Sequence, residues 1–203
     1  MIVRAIKRAY DVTIEREWDT IYWALDLHGT CLASNYDNDK VSFLNDTVVK
    51  ALQTISNYPE TKIIIWSSID AETERKVRHL FEQNDIKIFA FNENPDVANT
   101  ETGNFDKKFY FSIVVDDKAG FDPSDWTSVQ YTVFSNHARL VEAQRKKKEQ
   151  QPSARPQVAD PSATGASFVD ASLDIVGDIA EAVGDAIGGT AEVIGDIIGA
   201  ILD

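Results

Sequence analysis

Residues 21–30, IYWALDLHGT, decide the fold of this chain. A nearly continuous apolar run from Ile21 to Leu25 is followed at once by Asp26. Such a run is typical of a strand that is covered on both faces, as in a parallel sheet. A carboxylate that leaves such a strand costs free energy unless a partner compensates its charge. The stretch therefore predicts a buried parallel strand with a charged group at its carboxyl end.

Four further runs of the same kind follow, and helical patterns separate several of them. The predicted strands after the first are residues 63–66, 86–91, 111–115 and 129–134, and the predicted helices are 41–56, 71–83 and 136–149. In the first helix apolar residues recur at three- and four-residue spacing, and Asp70 is placed to cap the second. This alternation predicts an α/β fold, a doubly wound, Rossmann-like parallel sheet of five strands flanked by helices.

Composition limits the class of protein. The chain has 203 residues, 43% of them hydrophobic, and a formal charge of −13. That charge argues against a chain-wide basic surface for nucleic acid or anionic lipid, and Asp37 and Asp39 add acidity after the first strand. The single cysteine, Cys31, excludes an internal disulfide and a cysteine-rich zinc site. No run approaches 18 uncharged apolar residues, so we expect a cytoplasmic protein.

The chain changes character near residue 150. All 20 basic side chains precede residue 156, and residues 156–203 contain nine acidic residues and no basic one. Proline and small polar residues dominate the stretch before this acidic segment, which cannot bury enough surface to fold alone. We therefore predict one domain at residues 1–150, a flexible linker at 151–167 and a separate tail at 168–203.

The tail has a glycine pattern that predicts an amphipathic helix. Five glycines, at positions 177, 184, 188, 195 and 199, fall on one stripe of such a helix, beside a face rich in isoleucine. Each interior glycine costs about 1 kcal/mol relative to alanine, so the helix needs a partner. The candidates are a second copy of the tail, a groove on another protein and a bilayer surface. The lack of Lys and Arg counts against an anionic membrane, and we expect self-association or docking to a larger assembly.

Polar residues follow three of the predicted strands. They are Asp26, then Ser67 and Ser68, then Asp116 and Asp117. In parallel sheets the carboxyl ends of the strands meet at one edge, where ligands bind. Carboxylates that converge there repel one another, and a hard cation such as Mg²⁺ resolves the conflict while keeping positions open for a substrate phosphate. Two lysines, Lys107 and Lys108, lie just upstream of the fourth predicted strand.

In this order, D-L-H-G-T, a serine, a lysine and D-D resemble the four motifs of the haloacid dehalogenase superfamily, which consists largely of phosphatases. The resemblance spans about residues 20–135. It implies a Mg²⁺-dependent phosphohydrolase that forms an aspartyl-phosphate on Asp26 as the nucleophile. Ser67 would hydrogen-bond a phosphoryl oxygen, and Lys107 or Lys108 would offset charge, with Lys108 favoured.

The resemblance also implies the metal ligands. Mg²⁺ would be held by Asp26, the backbone carbonyl of His28 and Asp116, with Asp117 either as a further ligand or as a residue that contacts the ligands. The chain differs from the family at His28, where phosphatases carry a second aspartate that protonates the leaving group. Histidine can do this work near neutral pH, so a working site is one interpretation. A slow site, or one that binds phosphate without hydrolysing it, is the other.

No cap domain is predicted, because residues 27–66 hold only a short loop and one helix, and residues 92–106 read as a loop. By resemblance, capless members act on bulky phosphates such as nucleic-acid ends or phosphoproteins, or borrow a lid from another subunit. The favoured hypothesis is thus a phosphohydrolase for a bulky or macromolecular phosphate, tethered by its tail. The alternative is a structural or recruiting protein of the same fold, without useful catalysis, whose tail docks it into an assembly.

Each residue also has a purely structural interpretation. Asp26 and Asp116 would be loop or capping carboxylates, Ser67 would cap the next helix, and the paired lysines would be solvated charges. Cys31 is interpreted as a small buried residue. The four tryptophans, at positions 18, 23, 66 and 126, are interpreted as packing residues.

Overall fold

The computed structural model of the chain describes residues 1–34 and 40–150. The four strands are β1 (Ile21–Leu25), β2 (Thr61–Ile65), β3 (Ala90–Phe91) and β4 (Ile113–Val115). The four α-helices are α1 (Ile2–Arg16), α2 (Asp46–Asn57), α3 (Ala71–Gln83) and α4 (Trp126–Gln150), and single-turn 3₁₀ helices lie at Asp117–Ala119 and Pro123–Asp125. The predicted linker at 151–167 and tail helix at 168–203 lie outside the described residues.

The strands form one parallel sheet in the order β3-β2-β1-β4. The predicted α/β class with a parallel sheet is confirmed. β1 is a central strand, and Leu25 at its end pairs with Ile65 of β2 and Val115 of β4. The chain winds outward from β1 to β3 and then returns to the other side of β1. This reversal opens a crevice beyond the carboxyl ends of β1 and β4, where ligands bind in such sheets.

The two faces of the sheet are covered differently. On one face, residues such as Trp23 and Leu25 pack in a single core with buried residues from all four α-helices. On the other face, Tyr22, Ile64 and Ala90 pack against aromatic side chains from the connection between β3 and β4. In the part of the chain that is described, no helix covers this second face. The doubly wound arrangement, with helices on both faces, is therefore not confirmed.

The prediction of a fifth strand at residues 129–134 is wrong. This segment belongs to α4, which begins at Trp126 and not at the predicted residue 136. The buried residues of α4 recur at helical spacing, and they are Trp126, Val129, Val133, Asn136 and Leu140. Strand alternation would place Val129, Tyr131 and Val133 on one face, but Tyr131 is 49% exposed. The segment is helical because this conformation buries a continuous stripe of side chains against the core.

Other predicted boundaries are confirmed or shortened. α3 spans the predicted 71–83, and the Asp70 side chain caps it by accepting a hydrogen bond from the Thr73 amide at 2.7 Å. α2 begins at Asp46 and not at residue 41, because Asn45 caps it at the Val48 amide. The third and fourth strands pair over only two and three residues.

Helix α1 was not predicted, although its buried residues Ile2, Ile6, Ala9 and Thr13 recur at helical spacing. Of the helices in the described ranges, none is long and apolar enough to cross a membrane.

The register of α4 is testable with two substitutions. We expect Val133→Ala to lower the free energy of unfolding by about 1–3 kcal/mol, because Val133 is fully buried. Tyr131→Ala, two positions away on the exposed side, should change it by less than about 0.5 kcal/mol. Urea unfolding measures both. Equal losses from the two variants would show that the residues share a face, as in a strand.

Candidate functional site

Asp26 and Asp116 leave the sheet side by side. They directly follow β1 and β4, and the Asp26 amide donates a hydrogen bond to the Val115 carbonyl at 3.0 Å, which continues the ladder past the strand ends. One carboxylate oxygen from each of Asp26, Asp116 and Asp117 lies within 4.8 Å of the other two. The three predicted acidic residues are thus brought together at the crevice.

The Thr30 hydroxyl ties the two strand ends to each other. It donates to Asp26 Oδ2 at 3.2 Å and accepts from the Asp117 amide at 2.9 Å. Thr30 is fully buried, and its carbonyl accepts a hydrogen bond from the Trp126 indole at 2.8 Å. The hydroxyl therefore fixes the spacing between the first carboxylate and the segment that carries the other two.

Gly29 is required at its position for two reasons. Its φ of +83° lies in the left-handed region, which side chains other than glycine rarely adopt. A Cβ there would also lie 3.1 Å from Asp117 Oδ2. The G-T pair after the first strand thus lets the loop approach Asp117 closely and then bond to it.

Asp116 also stabilises the turn that follows it. Its Oδ1 accepts a hydrogen bond from the Lys118 amide at 2.8 Å, and its carbonyl accepts from the Ala119 and Phe121 amides at 3.0 Å. The structural interpretation of Asp116 as a capping carboxylate is correct for Oδ1. The side chain's second oxygen, Oδ2, is not used by this cap.

Lys118 is the cation that the structure places at the carboxylates. Its Nζ lies 3.0 Å from Asp117 Oδ1, and the two groups hydrogen-bond. This contact holds the pKa of Asp117 below its usual value. The pKa of Lys118 is raised, chiefly by Asp117, with smaller contributions from Asp26 and Asp116. Lys118 was not predicted from the sequence, although its position directly after D-D is a signal.

The two predicted lysines lie in the connection between β3 and β4. Lys107 and Lys108 are exposed, and their amides bond to the side chain and carbonyl of Asn104 at 3.1 and 3.4 Å. In the described ranges neither lysine forms an ion pair with Asp26, Asp116 or Asp117. The structure does not choose between the two lysines.

Ser67 is held by Asn92, which was not predicted as a site residue. The Ser67 amide donates to Asn92 Oδ1 at 3.0 Å, and Asn92 Nδ2 donates to the Ser67 carbonyl at 2.9 Å. Asn92 directly follows β3 and has a left-handed φ of 54°. The clamp joins the ends of β2 and β3 and leaves the Ser67 hydroxyl out of these bonds. The sequence does contain a signal for Asn92, because it is a polar residue that directly follows the third predicted strand.

His28 and Cys31 lie in the loop that follows Asp26. The amides of residues 30, 31 and 32 all bond to the Leu27 carbonyl, and the Gly29 amide donates to the Leu32 carbonyl at 2.9 Å. This tight turn fixes the backbone around His28, whose side chain is half-buried. Burial, with a smaller contribution from the charge of Asp26, raises the pKa of the Cys31 thiol. Cys31 is fully buried, as its interpretation as a small buried residue requires.

The donor set of the acidic cluster fits a hard divalent cation. Its three side chains offer only carboxylate oxygens, and Asp117 is about one third exposed, so water and a ligand can reach the cluster. Mg²⁺ binds through a few carboxylates and keeps several positions for water or phosphate oxygens. Within residues 1–34 and 40–150, this is the one group of three acidic, histidine or cysteine residues so arranged.

Comparison with known proteins identifies no relative. No family model matches the chain, and neither a curated protein nor a solved structure matches it. The resemblance to the haloacid dehalogenase superfamily therefore depends on the short motifs alone.

The role of the Thr30 hydroxyl is testable by near-isosteric replacement. We expect Thr30→Val to lower the free energy of unfolding by about 1–3 kcal/mol, because at this fully buried position it leaves the Asp117 amide without its acceptor and Asp26 Oδ2 without its donor. Thr30→Ser keeps the hydroxyl and should retain most of the stability. Urea unfolding of both variants checks this. A loss as large in the serine variant would assign the effect to the methyl group.

Proposed function

We propose that residues 1–150 form a Mg²⁺-dependent phosphohydrolase that acts on phosphate monoesters through an aspartyl-phosphate on Asp26. The observation that carries the proposal is the convergence of Asp26, Asp116 and Asp117 at the crevice between β1 and β4. A catalytic and metal-binding cluster is expected at this place in an open α/β sheet. The order of the motifs along the chain supports the same reaction.

Asp26, Asp116 and Asp117 would hold the cation, with the His28 carbonyl as a fourth oxygen donor. When bound, Mg²⁺ would supply positive charge that offsets the repulsion between these carboxylates and the phosphoryl oxygens. The chain's own cation at this place is Lys118, which is paired with Asp117. Lys118 would share with Lys108 the work of offsetting phosphate charge.

Asp26 is suited to act as the nucleophile because its position is fixed. Its amide is bonded to β4, and its Oδ2 accepts from Thr30, so Oδ1 is the oxygen left to attack phosphorus. Attack forms a bond between Oδ1 and phosphorus and breaks the bond to the leaving oxygen. Ser67, held by Asn92 at the end of the next strand, would donate its hydroxyl to a phosphoryl oxygen.

His28 would carry the proton. It lies two positions after Asp26 on a turn with a fixed backbone. It would give a proton to the leaving oxygen and then take one from the water that hydrolyses the aspartyl-phosphate. A histidine can hold and release a proton near neutral pH.

The site is open enough for a phosphate on a bulky group. Within the described ranges the segments next to the cluster, residues 27–34, 40–45 and 92–112, contain no helix that forms a cap. The substrate is thus a phosphorylated molecule of some size, and the acidic cluster disfavours the many phosphates of a nucleic-acid chain. The tail would tether the enzyme to a copy of itself or to a protein partner.

A second candidate function follows from His28, which stands where a carboxylate would activate water. A site without that activation would bind phosphate and not turn it over. The protein would then recruit or assemble partners through residues 168–203.

The first test is hydrolysis of an aryl phosphate with and without Mg²⁺. We expect metal-dependent turnover that Asp26→Asn lowers by at least about a thousandfold, because the amide cannot act as the nucleophile. The matched control is Asp19→Asn, an exposed aspartate before the opposite end of β1, which should keep full activity. Metal-independent turnover, or equal turnover in the two variants, would contradict the proposal.

The role of His28 is tested at the same site. We expect His28→Gln to lower kcat by about 100-fold or more, the usual loss when a general acid-base is removed. His28→Asp should restore most of the activity, because a carboxyl group can carry the same proton. Steady-state kinetics measure both. If wild type and His28→Gln were equally slow and His28→Asp fast, the natural protein would belong to the second candidate function.

A further inference from the structure

Asn92 is an exposed polar residue that continues the pairing of β2 with β3 beyond the ends of both strands. Its backbone amide donates a hydrogen bond to the Ile65 carbonyl at 2.8 Å, directly after Phe91, the last paired residue of β3. Its φ of 54° is left-handed, a conformation that asparagine adopts more readily than most other residues. Because this conformation departs from the extended backbone of a strand, the ladder of backbone hydrogen bonds ends at Asn92.

The Asn92 side chain supplies the next pair of hydrogen bonds in place of the backbone. Its Oδ1 accepts from the Ser67 amide at 3.0 Å, and its Nδ2 donates to the Ser67 carbonyl at 2.9 Å. Asparagine can form both bonds because its side-chain amide carries an acceptor and a donor, as a peptide bond does. Within residues 1–34 and 40–150, no other residue bonds to the backbone of Ser67. The position of Ser67 therefore depends on Asn92.

The register of the sheet places Ser67 at the same edge as Asp26. Leu25 pairs with Ile65, and the Trp66 amide donates to the Leu25 carbonyl at 2.8 Å, so β1 and β2 stay paired up to their carboxyl ends. Asp26 is the first residue beyond β1, and Ser67 is the second beyond β2. A hydroxyl at this place can bond a phosphoryl oxygen strongly only if it is held within a narrow range of distance and angle.

We propose that Asn92 is a positioning residue of the candidate site and that it acts through Ser67. The inference rests on the function proposed above. By fixing both backbone groups of Ser67, Asn92 holds the hydroxyl in place for a phosphoryl oxygen. The connection between β2 and α3 then needs no further ordering when the phosphate binds, which lowers the cost of binding and of reaching the transition state.

A double-mutant cycle separates this role from ordinary stabilisation of the sheet edge. With the full chain, Mg²⁺ and an aryl phosphate, we expect Ser67→Ala and Asn92→Gly each to lower kcat/KM by about 10- to 100-fold, the usual effect of losing one hydrogen bond to a charged group. Glycine keeps the left-handed φ without strain, and Asn92 is exposed, so the variant should fold. In the Ser67→Ala background, Asn92→Gly should lower kcat/KM by less than about twofold, because the hydroxyl that it positions is absent.

Asp85→Gly is the matched control. Asp85 has the same left-handed backbone, with a φ of 55°, and it is an exposed residue that follows the C-cap of α3, before the segment that leads into β3. We expect this variant to keep full kcat/KM. An equal loss from Asn92→Gly with and without the Ser67 hydroxyl, or full activity in Asn92→Gly, would overturn the positioning role. In both cases hydrolysis by Asp26 would still stand.

Binding of inorganic phosphate tests the same role without the reaction. Isothermal titration calorimetry in the presence of Mg²⁺ measures its Kd for the natural protein and the three variants of the cycle. We expect Ser67→Ala and Asn92→Gly each to weaken phosphate binding by about 10-fold, and the double variant to bind as Ser67→Ala does. This pattern in a protein without turnover would refute the hydrolase and keep the positioning role. A natural protein with neither turnover nor phosphate binding would refute both.

Discussion

The burial of β1 between two parallel neighbours is the constraint on which the rest of the structure depends. All five of its residues are buried, and its backbone is bonded to β2 on one side and β4 on the other. A strand with no exposed face or edge can present polar groups only where it ends. The chemistry of the chain is therefore concentrated at the residues that follow Leu25 and at those that follow the strands beside it.

Electrostatic repulsion between carboxylates dominates the carboxyl edge of the sheet. Three carboxylates lie within 4.8 Å of one another at the ends of β1 and β4. Three hydrogen-bond donors offset part of this repulsion. They are the Thr30 hydroxyl, the Lys118 ammonium and the Lys118 amide, which donates to Asp116. One lysine does not balance three negative charges, and this imbalance is the physical basis for proposing a divalent cation at the site.

The opposite end of the sheet is closed by a buried polar cluster. Glu60, next to the start of β2, is 6% exposed, and its Oε1 accepts from the Tyr10 hydroxyl at 3.2 Å and lies 2.7 Å from His137 Nδ1. Tyr58 stacks on the His137 ring at 3.7 Å. These contacts join α1, the end of α2 and α4 below the strands. One end of the sheet is thus held by satisfied buried groups, and the candidate site lies at the other end.

Local patterns in the sequence determined the α/β class, the buried first strand, the boundaries of α3 with its Asp70 cap, and the polar residues at the strand ends. Each of these depends on residues that are neighbours along the chain. The tertiary structure alone decided that residues 129–134 are helical, because an apolar run of that length suits either state until its buried stripe meets the core. It also placed Lys118 and Asn92 at the strand ends and left the Trp66 indole open, since exposure and pairing across strands depend on what packs from distant parts of the chain.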